Sequence, residues 1–108
     1  VISQANYTSS ELSTVTSAEN EGNLIENALR QTGFEVTRHR NLTQRELRDA
    51  LDDFRVKLDM KGRDGIGFIY YTGHGVQHPD PDEGGSYLLG VDAKLRVLSD
   101  LRAYGVDL

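Results

Sequence analysis

The spacing of apolar residues predicts two amphipathic helices. The first has its apolar face at i, i+1, i+4 and i+5, formed by Leu24, Ile25, Ala28 and Leu29. Ser17 or Asn20 is placed to cap its start. Gly33 is placed to end it, because glycine readily adopts the left-handed conformation at a helix terminus.

The second helix carries the stronger local signal. Thr43 and Glu46 stand in the capping-box relation, in which each side chain satisfies a backbone N–H of the first turn. An apolar stripe follows at helical spacing, made of Leu47, Ala50, Leu51, Phe54 and Leu58. Gly62 is expected to end the helical region.

The segments around these helices predict strands. Val1 and Ile2 have the character of the tail of a strand already under way, and residues 6–20 are polar and predict a surface loop. Residues 34–38 alternate between apolar and polar side chains, whereas residues 66–71 are almost continuously apolar, which is typical of a strand covered on both faces. Residues 86–93 predict a short strand or an extended edge, and residues 94–108 give no clear pattern.

The order strand, helix, strand, helix, strand predicts a three-layer α/β fold with a mostly parallel sheet. Helical crossovers between strands imply parallel pairing and right-handed connections. With 108 residues, the chain has the size of one small domain.

Composition removes several classes of function. Twelve basic and seventeen acidic residues give a net charge of −5, which argues against nucleic acid as the main partner. No apolar run is long enough to cross a membrane and no signal segment is present, so we expect no membrane partner and a cytoplasmic location. The chain has no cysteine, and these residues therefore hold no disulfide, thiolate metal site or cysteine nucleophile.

One histidine stands out by its position. His74 lies between Gly73 and Gly75, just beyond the predicted third strand, and ligands of open α/β sheets bind at the carboxyl ends of strands. Imidazole suits proton transfer near neutral pH, and a glycine N–H suits stabilisation of an oxyanion. The imidazole and the glycine N–H together form half of an acyl-transfer site, and the nucleophile is missing. The alternative is a plain turn in which His74 bonds to nearby backbone.

The segment "FIYYTGHGVQ" resembles the histidine segment of the caspase-like cysteine peptidases, in the branch of bacterial caspase homologues, metacaspases and orthocaspases. "VISQANY" is similar to the family's first strand and turn, "NLIENALRQTGFEV" to its first helix and second strand, and "NLTQRELRDALDDF" to its second helix. "SYLLGVDA" resembles the segment that follows the histidine loop. The resemblance covers almost the whole chain.

The resemblance implies a cysteine-type endopeptidase acting on protein or peptide substrates, with no cofactor. His74 would be the dyad histidine and Gly75 would supply an oxyanion-hole N–H. The dyad cysteine would lie on the next core strand, C-terminal to residue 108. We therefore expect residues 1–108 to be the N-terminal part of one caspase-like catalytic domain, inactive without its remainder. The alternatives are a catalytically inactive caspase-like module that binds or regulates a protein partner and, more distantly, an unrelated α/β ligand-binding domain.

The substrate-binding residues are not identified by the sequence, but the charge pattern favours one specificity. The resemblance implies that a caspase cutting after Asp would carry an Arg near Thr14, and no Lys or Arg precedes Arg30. The acidic residues of this region, Glu11, Glu19 and Glu21, suit a basic P1 residue better than Asp.

A histidine- and acid-rich loop follows the Gly-His-Gly segment. It contains His74, His78, Asp80, Asp82 and Glu83. The spacing fits neither a zinc site nor a calcium loop, and Pro79 and Pro81 predict an extended surface segment. We expect no metal here. Calcium activation, known in some metacaspases, stays open without support from this sequence.

Overall fold

The computed structural model describes residues 1–107, and Leu108 lies outside the described residues. The elements, in chain order, are β1 (Ile2–Ser3), α1 (Ala18–Gln31), β2 (His39–Arg40), α2 (Gln44–Met60), β3 (Tyr71–Thr72), β4 (Gly75–Gln77), a 3₁₀ turn (Pro81–Glu83), β5 (Ser86–Leu89), α3 (Asp100–Tyr104) and β6 (Gly105–Asp107).

The predicted parallel sheet is present, with strand order β2-β1-β3. Ile2 of β1 is in register with His39 on one side and Tyr71 on the other, and both pairings are parallel. The amide N–H of Ile2 donates to the carbonyl of Tyr70 at 2.8 Å, and that of His39 donates to the carbonyl of Val1 at 2.8 Å. Helical crossovers therefore connect parallel strands, as the sequence pattern predicted.

The predicted strand boundaries were wrong. Residues 34–38 and most of residues 66–71 make no ladder, because β1, the strand between them, pairs only through Ile2 and Ser3. Ile66, Phe68 and Ile69 are 80%, 51% and 48% exposed rather than covered on both faces. Together with residues 34–37, they line an open cavity of about 870 Å³.

The two long helices cover opposite faces of the parallel sheet. Successive side chains of a strand point to opposite faces. Ile2 packs against Leu47 and Leu51 of α2, whereas the Ser3 hydroxyl accepts a hydrogen bond at 2.9 Å from Arg38, whose guanidinium also contacts α1. A helix, a sheet and a helix therefore form the three predicted layers.

The helices follow their sequence signals to different degrees. In α2 the capping box of Thr43 and Glu46 is formed, and the apolar stripe is buried or half-buried. In α1, Ser17 is the N-cap residue but its side chain makes no capping bond. Leu24 on the predicted buried face of α1 is 62% exposed, because α1 contacts the sheet through Ala18 and Gly22 instead. Gly33 and Gly62 follow the helices with positive φ, as predicted.

A second, antiparallel sheet has the order β4-β5-β6. Its β5 falls within the strand predicted over residues 86–93. The segment after residue 93, for which the sequence shows no clear pattern, contains α3 and β6. These elements pack against β5 through Tyr87, Leu89 and Leu101. A five-residue helix is too short to show an apolar period, so α3 could not be predicted from the spacing of apolar residues.

Candidate active site

His74 lies in the turn between β3 and β4, at the carboxyl end of the parallel sheet. Its Nε2 is 2.7 Å from the carbonyl oxygen of Ser13, in the loop that follows β1. A carbonyl oxygen only accepts, so this bond requires Nε2 to carry the hydrogen. In the neutral imidazole the proton-accepting nitrogen is then Nδ1, which has no hydrogen-bond partner within residues 1–107.

Two tyrosine hydroxyls hold the backbone of His74. The amide N–H of His74 donates to the Tyr7 hydroxyl at 2.7 Å, and the Tyr71 hydroxyl donates to the carbonyl of His74 at 2.8 Å. The two hydroxyls are 3.3 Å apart. The Tyr7 ring also meets the imidazole edge to face, with ring centroids 4.6 Å apart.

Burial is the main cause that raises the pKa of both tyrosines. For Tyr71 the hydrogen bond with Tyr7 raises the pKa further. For Tyr7 the hydrogen bonds to Tyr71 and to the backbone of His74 act in the opposite direction and lower the pKa by less than burial raises it. Both phenols therefore keep their protons at neutral pH and serve as neutral hydrogen-bonding groups.

Gly73 lets these groups come together. A methyl group at Gly73 would lie 2.7 Å from Cβ of Gln4 and 2.8 Å from the hydroxyl oxygens of Tyr7 and Tyr71. Gln4, which directly follows β1, is fully buried and contacts two further segments. Its side chain exchanges two 2.7 Å hydrogen bonds with the backbone of Leu42 and donates to the carbonyl of Leu89 at 3.4 Å. The glycine before His74 is thus needed for space.

The N–H of Gly75 points away from the neighbouring strand. Gly75 is opposite Leu88, and the N–H of Leu89 donates to the carbonyl of His74 at 3.1 Å. In an antiparallel ladder this bond identifies Gly75 and Leu88 as a non-hydrogen-bonded pair. The ladder with β5 therefore does not use the Gly75 N–H, which stays available beside His74.

The three acidic residues of the sequence analysis have different surroundings. Glu19 forms ion pairs with Arg38 at 3.4 Å and Arg40 at 2.8 Å. Glu21 is half-buried and accepts a 2.8 Å hydrogen bond from the Thr72 hydroxyl, two residues before His74. Glu11 is exposed. Glu21 is thus tied to the strand end that carries the histidine, whereas the carboxylate of Glu19 is engaged by arginines.

The histidine- and acid-rich loop makes mainly local bonds. Nδ1 of His78 accepts from the amide of Asp80 at 3.0 Å, and the carboxylate of Asp80 accepts from the amide of Asp82 at 3.0 Å. Glu83 pairs with Arg102. Across residues 1–107, no three His, Cys, Asp or Glu side chains are grouped as metal ligands would be.

Sequence reasoning singled out His74 and Gly75 as candidates but did not identify the residues that hold them. The sequence pattern places Tyr71 only at the end of the apolar strand of residues 66–71 and assigns no role to Tyr7 or Ser13. Ser13 and Tyr7 are 61 and 67 residues from His74 along the chain, so only the pairing of β1 with β3 brings them together. The signal that pointed toward Tyr7 was the turn after the first strand in "VISQANY", which indicated no contact with His74.

Comparison with known proteins agrees with this architecture. The family model of the caspase domain matches residues 1–103. The human mucosa-associated lymphoid tissue lymphoma translocation protein 1 is 41% identical over 69 residues, which cover 64% of this chain and 8% of that protein. Its mouse homologue is 39% identical over 69 residues, with the same coverage. The chain thus spans only a small part of the length of these relatives.

The histidine at the end of a parallel strand and the three layers around it are those of a caspase-like peptidase fold. The chain belongs to the caspase domain family. The resemblance to the caspase-like peptidases and the predicted fold class are thereby confirmed. Among residues 1–107, none of the helices combines the length and apolar character needed to cross a membrane.

Proposed function

We propose that this chain is the histidine-bearing part of a cysteine-type endopeptidase. The observation that carries the proposal is the bond between Nε2 of His74 and the carbonyl of Ser13. This bond assigns the hydrogen to Nε2 and leaves Nδ1 as the base at the open end of the sheet. Residues 1–108 contain no cysteine, so the proposed nucleophile lies outside them, C-terminal as the family resemblance implies.

In the proposed reaction, Nδ1 of His74 takes the proton of the cysteine thiol, and the thiolate bonds to the carbonyl carbon of the substrate peptide. The carbonyl oxygen becomes an oxyanion that accepts a hydrogen bond from the Gly75 N–H. The C–N bond then breaks, and the imidazolium gives its proton to the leaving amine. Water, deprotonated by His74, hydrolyses the thioester, and the released thiolate recovers that proton.

We propose further that the enzyme prefers a basic P1 residue. Glu21 lies at the strand end beside His74, and Glu11 is exposed on the adjoining loop. Both are charged opposite to Lys and Arg, and no basic residue precedes Arg30 to bind a substrate carboxylate. Replacing Glu21 by Gln should lower kcat/KM for arginyl substrates about ten- to one-hundred-fold, the scale of one lost charged hydrogen bond.

Covalent labelling tests both parts of the proposal. The full-length protein is treated with peptidyl chloromethyl ketones that carry Arg or Asp at P1, and the modified residue is mapped by mass spectrometry. We expect the arginyl reagent to alkylate one cysteine at least tenfold faster than the aspartyl reagent. Faster labelling by the aspartyl reagent would contradict the specificity, and no labelling by either would contradict the peptidase function.

The absence of cysteine from these 108 residues supports a second candidate, a catalytically inactive caspase-like module that binds or regulates a protein partner. The same experiment separates the two candidates. An inactive module would react with neither reagent, even where a cysteine is present elsewhere in the protein.

A further inference from the structure

The two tyrosines beside His74 form a closed hydrogen-bonded ring with its backbone N–H and C=O, which belong to the two peptide groups that flank its Cα. The His74 N–H donates to the Tyr7 oxygen at 2.7 Å, and the Tyr71 hydroxyl donates to the His74 carbonyl at 2.8 Å. The Tyr71 hydroxyl also lies 3.0 Å from the carbonyl of Leu89, so its one hydrogen is shared between two carbonyls. Because that hydrogen is used in this way, the 3.3 Å contact between the hydroxyls has Tyr7 as donor. All three bonds then run in one direction, from the amide through both phenols to the carbonyl.

We propose that Tyr7 and Tyr71 are positioning residues that hold the backbone of His74 on both sides of its Cα, so that its imidazole keeps Nε2 on Ser13 and presents Nδ1 to the reaction. This proposal deepens the proposed function and rests on it for its catalytic consequence. Neither tyrosine is expected to touch the substrate's reacting atoms. Their effect passes through the orientation of one imidazole.

The position of the ring in the fold supports this role. Tyr7 follows β1 and Tyr71 lies in β3, and these strands pair directly, so the ring is attached to the rigid part of the parallel sheet. His74 itself sits outside the strands, between β3 and β4. Without the ring, the backbone of His74 would be held by the bond from Leu89 N–H alone, which anchors the His74 carbonyl but not its amide N–H.

Tyr7 acts on both the backbone and the side chain of the histidine. Its hydroxyl holds the amide, and its ring lies edge to face with the imidazole at 4.6 Å and an interplanar angle of 62°. This contact limits rotation of the imidazole toward Tyr7. The other side of the imidazole is fixed by the 2.7 Å bond from Nε2 to the carbonyl of Ser13. The two contacts together determine which ring nitrogen faces outward.

A tautomer measurement separates positioning from general structural support. In ¹⁵N NMR spectra at a pH where His74 is neutral, the Nε2–H form should predominate in the unmodified protein. In Tyr7→Phe and Tyr71→Phe, the ratio of Nε2–H to Nδ1–H should fall about two- to twelve-fold, the range for loss of one hydrogen bond. Tyr70→Phe is the matched control: Tyr70 is also half-buried, and within residues 1–107 its hydroxyl makes no hydrogen bond.

Peptidase assays of the same variants test whether the orientation of His74 affects catalysis. We expect kcat to fall by a similar factor in Tyr7→Phe and Tyr71→Phe, while KM stays unchanged in both. In Tyr70→Phe, both kcat and KM should equal those of the unmodified protein. If the proposed peptidase function fails, no variant has activity, yet the tautomer ratio still tests the ring. A tautomer ratio that matches the control in both variants would overturn the positioning role, even if their thermal stability falls.

If the variants do not fold, the ring can still be tested by a measurement on the unmodified protein. The ring requires both phenolic protons to be bound, so each should exchange slowly enough with water to give a resolved proton signal at neutral pH. Cross-peaks from these signals to the His74 amide are expected. If neither phenolic proton is observed under conditions where the His74 amide is, the ring is absent and the proposal is wrong.

Discussion

Replacing Gly73 by Ala perturbs the most crowded point of the candidate site. The added methyl would lie 2.7 Å from Cβ of Gln4 and 2.8 Å from each of two tyrosine oxygens, closer than real Cβ contacts. None of these neighbours has room to yield freely, because Gln4 is fully buried and both hydroxyls are hydrogen-bonded. Overpacking of this kind costs about 1–3 kcal/mol.

A smaller effect opposes this cost. Alanine restricts the unfolded chain more than glycine does, which stabilises the folded state by about 0.4–1 kcal/mol. Subtracting this gain from the overpacking cost leaves about 0–2.6 kcal/mol. The φ of +157° at Gly73, which L side chains rarely adopt, adds strain of about 1–3 kcal/mol. The net loss for Gly73→Ala is therefore at least about 1 kcal/mol, which lowers Tm by roughly 4–8 °C or more. Gly85→Ala is the matched control, because a methyl at Gly85 would meet nothing within 4 Å.

Urea denaturation followed by circular dichroism measures this difference. We expect the midpoint to fall in Gly73→Ala with an unchanged m value, and to stay level or rise slightly in Gly85→Ala. Equal stability of the two variants would refute the reasoning, since it would mean that Gln4, Tyr7 and Tyr71 do not converge on Gly73.

Two further stability predictions follow from side chains near the ends of strands and helices. Gln4→Met keeps the side-chain volume but leaves the N–H and C=O of Leu42 without their 2.7 Å partners. In a denaturation experiment, Gln4→Met should lower the free energy of unfolding by about 2–4 kcal/mol. A loss below about 0.5 kcal/mol would contradict the role of the hydrogen bonds between Gln4 and Leu42. The hydrogen bonds of Thr43 lower the pKa of Glu46 below its ordinary value of 4.5. A lowered folded-state pKa gives stability that is present above pH 4.5 and lost as the pH falls through the folded-state value. Glu46→Gln should therefore flatten the acid side of the stability curve, and an identical acid slope in both proteins would exclude the capping box as its cause.

Local signals in the sequence were sufficient for α2 and for the position of His74. The capping box and apolar stripe of α2 depend on residues three to eleven positions apart, and the structure has both. The strand of residues 66–71 was a different case. Its apolar run indicated burial, but whether such a run forms a ladder depends on the length of the strand beside it. That strand, β1, pairs through two residues only.

The surroundings of His74 were beyond sequence reasoning for a related reason. The Gly-His-Gly segment identified the imidazole but not the orientation of its two nitrogens. That orientation comes from Ser13 and Tyr7, which are contacted only after β1 and β3 pair. Of the loop predicted over residues 6–20, residues 6–17 are loop and residues 18–20 already belong to α1. A loop pattern does not reveal which carbonyl faces a histidine.

The central claim is that His74 is the base of a peptidase, and its most direct test is the hydrolysis of an arginyl peptide by the full-length protein and by His74→Ala. His78→Ala is the matched control, because that imidazole bonds only within its own loop. Loss of a general base lowers kcat about 10²- to 10⁴-fold. We predict a fall of that size in His74→Ala, unchanged secondary structure, and near-normal activity in His78→Ala. Activity in His74→Ala equal to that of the unmodified protein would contradict the account.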